Sequence, residues 1–170
     1  LKLLNRFEIE KPMVSYYQHN MRERGEIVLS RILSGEDCAL VTDAGMPAIS
    51  DPGEELVKLC AEAGVEVVAV PGPTAAATAL ALSALPSGRF TFEGFLPPQK
   101  GERKKCLDAL AREVRTMIFY EAPHKLQKTL EDILCIFGDR KIALCRELTK
   151  IHEEIYRTTF TEAIARYEEN

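Results

Sequence analysis

Three histidines and five cysteines are all that the chain offers toward zinc or disulfide chemistry, and their placement supports neither. Cys38, Cys60, Cys106, Cys135 and Cys145 are odd in number, scattered, and nowhere in C-x-x-C spacing. Four of them fall inside apolar strand or helix patterns, the setting of buried, reduced thiols rather than of a disulfide framework. The histidines are too dispersed for a zinc site, so no metal is expected. No apolar run approaches the roughly 20 residues of a membrane-spanning helix, and no signal peptide is visible. These absences point to a cytoplasmic protein with no membrane partner. There is no G-x-G-x-x-G fingerprint and no Walker loop, so dinucleotides and nucleoside triphosphates lose support. Internal repeats and low-complexity tracts are missing as well.

Nor does the chain carry a large charge of one sign. Its formal net charge of -4 gives no global signature of nucleic-acid binding. The average hides an asymmetry: residues 1–88 hold 7 Lys and Arg against 12 Asp and Glu, whereas residues 89–170 hold 15 against 14. A polyanion has its better host in the second half. What the chain does have is apolar content, 46% of 170 residues, enough for one large domain or two small ones.

Hydrophobic periodicity organises the first half as alternating helices and strands. Ile27, Val28, Ile32 and Leu33 suit an amphipathic helix over 22–33, ended by Gly35. Residues 38–42 read as a strand covered on both faces. Pro52 then opens a helix with Glu54 and Glu55 in its first turn, where the helix dipole favours negative charge. Its buried stripe is Leu56, Leu59, Cys60 and Ala63, and Gly64 ends it. A strand over 65–70 and an alanine-rich helix over 74–84 complete a β-α-β-α run, the pattern of a parallel sheet. Leu85-Pro-Ser-Gly88 breaks the pattern where the charge balance changes, and marks the boundary between lobes at 87/88. Beyond it lie strands at 90–95, 116–120, 141–145 and 154–160, a basic helix over 102–112, and a helix from Pro123 through Leu134. The reading is α/β, in two lobes.

Ligands of open α/β sheets bind beyond the carboxyl ends of the strands, and four segments stand at such places. Asp43-Ala-Gly-Met-Pro47 follows the first strand, with a carboxylate to accept hydrogen bonds and a glycine that lets a ligand approach the backbone. The alternative is a tight turn with Asp43 solvated or capping. Pro71-Gly-Pro-Thr74 is rigid, Thr74 can cap the next helix, and Ala75, Ala76 and Ala77 leave room for something flat. Close helix–strand packing asks for the same alanines. In Tyr120-Glu-Ala-Pro-His124, Glu121 and His124 are candidates for acid, base or hydrogen-bond partner, against a first-turn charge and a surface histidine. Arg146 and Lys150 in Arg146-Glu-Leu-Thr-Lys150 are candidates to hold a phosphate, against ion pairs of Arg146 with Glu147 or Glu121. The window 89–115 adds seven basic residues to four acidic ones, among them Arg103, Lys104 and Lys105. A solvated helix face is the usual meaning of such a run, and an RNA-binding flank is the other.

Taken together, the stretches V-T-D-A-G-M-P-A-I-S-D-P-G, V-P-G-P-T-A-A, F-E-G-F-L-P, I-F-Y-E-A-P-H-K-L and R-E-L-T-K-I-H-E-E resemble the tetrapyrrole methylase superfamily. The last three, in this order, resemble its ribosomal RNA small subunit methyltransferase I branch. The resemblance runs from about Leu3 to Tyr167. It implies two α/β lobes, 1–87 and 88–170, with S-adenosylmethionine between them. It also implies methyl transfer to the ribose 2′-hydroxyl of a cytidine in the decoding region of 16S rRNA, by a homodimer. Asp43, Ala44, Gly45 and Met46 would meet the cofactor on one side, Thr74 and Ala75 at the second loop, and Tyr120 and Glu121 from the second lobe. Glu121, His124 and Glu147 become candidate proton acceptors for the hydroxyl. Arg103, Lys104, Lys105, Arg146 and Lys150 become the candidate RNA contacts, with 16S rRNA or the small subunit as partner. The rivals are a methylase of a tetrapyrrole or other small molecule, and a non-catalytic RNA-binding or assembly module. The chain opens at Leu1-Lys-Leu-Leu without an initiator methionine and ends on a helix, which suggests a fragment. The family's first strand should precede Leu1 and a closing strand should follow Asn170, so each lobe is expected to lack one strand.

Overall fold

The computed structural model describes residues 2–17 and 21–168. Leu1, His19 and the final Glu169-Asn170, which enter the expectations above, lie outside them. The chain divides into two compact units, Leu1–Pro71 and Gly72–Asn170. Among the described residues no helix is long and apolar enough to cross a membrane.

The first unit holds α1 (Lys2–Arg6), α2 (Met21–Leu33) and α3 (Glu54–Glu62). Val28 of α2 packs with Leu56 and Cys60 of α3, and Tyr16, Leu29, Ile32 and Val65 close around them. Helix spacing explains the choice: Leu56 and Cys60 stand four apart on one face. The helices approach closely at Gly25, where a Cβ would lie 3.0 Å from Leu59 Cδ1. Gly35 and Gly64, at φ 98° and 71°, supply the left-handed turns that end α2 and α3.

The strands expected at 38–42 and 65–70 are not formed. Both segments lack ladder partners among the described residues, and Val41, Val68 and Val70 are 68, 76 and 85% exposed. Their β-branched content suits a pleated surface, but a strand exists only when its N–H and C=O groups meet another strand's. Among the described residues, the first unit is thus built of three helices, with 38–42 and 65–70 as segments outside any ladder.

The second unit carries α4 (Ala75–Leu82), β1 (Phe90–Phe95), α5 (Lys100–Leu110), β2 (Thr116–Tyr120), α6 (Leu126–Phe137), β3 (Lys141–Arg146), β4 (Glu154–Thr159) and α7 (Phe160–Glu168). A 3₁₀ turn over Pro123–Lys125 leads into α6. β1 and β2 pair in parallel through the α5 crossover, and β3 and β4 pair antiparallel from Lys141↔Thr159 to Arg146↔Glu154. The main core joins Leu96, Leu107, Leu130, Ile133, Phe137, Phe160 and Ala163. A second cluster packs Ala76 and Leu80 of α4 on Ile118 of β2. That cluster places α4 with the second unit, on the other side of the division from where the proline-glycine break at 87/88 would put it.

The thiols are less buried than their sequence setting suggests. All are free; Cys60 alone is buried, Cys106 and Cys145 are half-buried, and Cys38 and Cys135 are exposed. Cys38 opens an unpaired segment, and Cys135 lies between the buried Ile133 and Phe137 on the outer side of α6. Burial raises the thiol pKa of Cys60 and Cys145 above the ordinary value.

Candidate functional site

In the first unit the loop after Thr42 is built from backbone in unusual conformations. Gly45, Ala48, Ser50 and Gly53 all have positive φ, at 79°, 66°, 52° and 143°. For Ala48 and Ser50 this region costs about 1 kcal/mol each, a strain typical of ligand-holding loops. Gly53 is the point of return. A Cβ there would lie 2.5 Å from Leu40 Cδ2 and 3.2 Å from the Ala48 Cβ, so only glycine lets the loop fold back on the segment it left. Asp43, Ala44 and Gly45 are exposed and Met46 is half-buried. The result is a carboxylate and an open stretch of main chain on a shaped loop.

In the second unit the start of α4 is capped twice. Thr74, in extended conformation as N-cap, accepts the Ala77 N–H on its Oγ1 at 3.2 Å. The Ala76 N–H donates to the Tyr120 hydroxyl at 3.1 Å. The Ala75 N–H is left without a partner among the described residues. At the other end of α4, the Arg157 guanidinium donates to the Leu82 carbonyl through Nε at 3.0 Å and Nη2 at 2.6 Å. Tyr120 ends β2 with its ring edge-on to Phe92 and Phe95, at centroid distances of 5.0 and 5.5 Å.

Glu121 is half-buried and both its carboxylate oxygens are engaged. One accepts the Ala122 N–H at 2.7 Å, the other the hydroxyl of buried Thr129 at 2.6 Å. That is the posture of a group holding the turn into α6. His124 is exposed on the 3₁₀ turn. Glu147 stands at φ 52° just past β3 and accepts from Lys150 Nζ at 3.0 Å. Arg146 pairs with Glu154 at 3.2 Å, and not with the Glu147 or Glu121 weighed from sequence.

The basic helix α5 separates into inner and outer cations. Arg103 is buried: its Nε donates to Asp132 at 2.7 Å, and its Nη1 reaches the Pro97 and Pro98 carbonyls at 3.4 and 3.2 Å. Its guanidinium joins α5, α6 and the loop after β1, which takes it out of the expected RNA-facing set. A signal for this stood in the sequence, since Arg103, Leu107 and Leu110 follow the i, i+4, i+7 stripe of a core face. Lys104 pairs with Asp108 at 2.7 Å on the surface, and Lys105 is exposed. Among the described residues no group of three or more His, Cys, Asp or Glu is placed to hold a metal. Within the first unit the exposed Asp43 carboxylate and the main chain of Ala44 and Gly45 offer hydrogen-bonding groups to a polar ligand, and within the second unit the Ala75 N–H offers a donor.

Comparison with known proteins matches nearly the whole chain. The family model described as Tetrapyrrole (Corrin/Porphyrin) Methylases matches residues 2–164. The chain is 50% identical over 163 residues to the Bacillus subtilis protein named Ribosomal RNA small subunit methyltransferase I, covering 96% of this chain and 56% of the relative. Proteins of the same name give 48% over 163 residues in Halalkalibacterium halodurans (96 and 56%) and 45% over 166 residues in Thermotoga maritima (98 and 74%). The chain thus spans 56% of the length of the first two relatives and 74% of the third.

Proposed function

The chain belongs to the tetrapyrrole methylase family, in its ribosomal RNA small subunit methyltransferase I branch, and on that premise we propose that it serves S-adenosylmethionine-dependent methylation of small-subunit rRNA. The acceptor in this reading is the ribose 2′-hydroxyl of a cytidine in 16S rRNA, and the working form is a cytoplasmic homodimer. The observation that carries it is the likeness of 45 to 50% along at least 96% of the chain to three proteins of that name.

The candidate cofactor contacts are Asp43, Ala44, Gly45 and Met46 in the first unit, and Thr74 and Ala75 in the second. When bound, S-adenosylmethionine supplies a methyl group on a sulfonium, an electrophile that needs alignment more than activation. The work left to the chain is to orient the ribose, keep water out and receive one proton. Of the candidate acceptors His124 is the least committed, because Glu121 already holds Ala122 and Thr129 and Glu147 holds Lys150. Lys104, Lys105, Arg146 and Lys150 meet the RNA backbone. Three of these are paired with carboxylates, so phosphate binding there proceeds by exchange of partners.

Calorimetry of S-adenosylmethionine binding to the full-length protein tests the reading, with Asp43→Ala as the control. Micromolar binding that the substitution abolishes is expected, together with rRNA binding that weakens steeply as salt rises. Failure of the intact protein to bind S-adenosylmethionine overturns it.

A further inference from the structure

Strand periodicity places Phe92 and Phe95 on opposite faces of β1, because side chains alternate and the two stand three residues apart. Yet both rings pack against Tyr120. The register explains this. Phe92 pairs with Ile118 and Gly94 with Phe119, so Glu93 is an extra residue, a bulge in a parallel ladder. Gly94, buried with φ 61°, supplies the left-handed step the bulge needs. One inserted residue restores Phe95 to the face of Phe92, and the tyrosine ring is gripped edge-on by two aromatics.

The grip fixes where the tyrosine hydroxyl sits, and the hydroxyl is spent on the Ala76 N–H in the first turn of α4. Ile118, two residues earlier on the same face of β2, packs under Ala76 and Leu80 of that helix. The first turn is thereby tied to β2 through a polar and an apolar contact at once. With Thr74 holding Ala77, the N–H of exposed Ala75 is the donor of this turn left without a partner among the described residues.

We infer that Tyr120 is a positioning residue: its hydroxyl orients the Pro71–Ala75 turn and so sets affinity for the nucleoside–amino acid ligand without touching it. The inference rests on the cofactor reading above and assigns Tyr120 to the support of the binding wall rather than to its surface. The bulge at Glu93 is part of the same device.

Tyr120→Phe in the full-length protein is the test, because it keeps the ring and removes only the acceptor. Two quantities are read, the ligand-free exchange of the Ala76 amide by NMR and the S-adenosylmethionine affinity by calorimetry. Losing one hydrogen bond predicts exchange about tenfold faster and a Kd about tenfold weaker. Amides of the β3–β4 pair should keep their wild-type exchange. Weaker binding with unchanged Ala76 exchange means direct contact between Tyr120 and ligand, and overturns the inference. Faster exchange with unchanged affinity overturns it too, as does acceleration throughout β3 and β4, which marks a general structural role. If the wild type binds no S-adenosylmethionine, the cofactor reading fails, and this inference fails with it. Unaltered binding by the variant, with a wild type that binds, fails the inference alone.

Discussion

Where a loop returns on itself, a single hydrogen atom in place of a methyl decides whether the return is possible. Gly53→Ala adds a Cβ that meets Leu40 and Ala48 while φ stands at 143°. A cost of about 1–3 kcal/mol is expected from such a backbone conformation alone, read as a lower urea midpoint. The Asp43 loop should lose its shape with it, so ligand affinity falls even though Gly53 is buried beneath the exposed residues. At this scale the sequence was only partly legible. Thr74 as a cap followed from its place before an alanine run, and the structure has it there. The Tyr120 hydroxyl did not, since its partner is 44 positions away and its aim depends on a bulge that exists only in the paired strands. Arg103 was legible in principle, but a charge run invites reading as surface before its place in the apolar stripe is weighed.

Among elements, helices and the strands of the second unit follow from local pattern, and their expected spans differ from the structure by a few residues at the ends. The segments 38–42 and 65–70 carry equally strong patterns and find no ladder partner among the described residues. Local sequence encodes fitness for a sheet, while the sheet itself requires a second edge. The junction from α5 to β2 illustrates local chemistry at work. Glu113 accepts the N–H groups of Val114 and Arg115 and the Arg115 guanidinium, and its carboxyl pKa is held down at about 2. The ordinary value, kept in the unfolded chain, is 4.5. The folded state therefore binds this proton less tightly, and the stabilisation is complete above 4.5 and lost as pH falls toward 2. Asp139, lowered chiefly by the Thr161 N–H at the start of α7, acts in the same direction. Glu113→Gln should flatten the acid limb of a plot of urea midpoint against pH. An acid limb as steep in the variant would show that Glu113 does not govern it.

For the molecule as a whole, each of the two units has its own core, and each includes a thiol whose pKa burial raises. Cys60 sits between α2 and α3, and half-buried Cys145 lies on β3. Both are also made less reactive by a raised pKa, while Cys38 and Cys135 lie open. The chain thus carries its own pair of clocks. An alkylating reagent should consume Cys38 and Cys135 first, after which half-buried Cys145 reacts more slowly and buried Cys60 slowest, each speeding up as its unit opens. Peptide mass spectrometry over a denaturant series would time each separately. Coincident rates would mean that the two units melt as one cooperative body, and divergent rates would rank them by the free energy of opening.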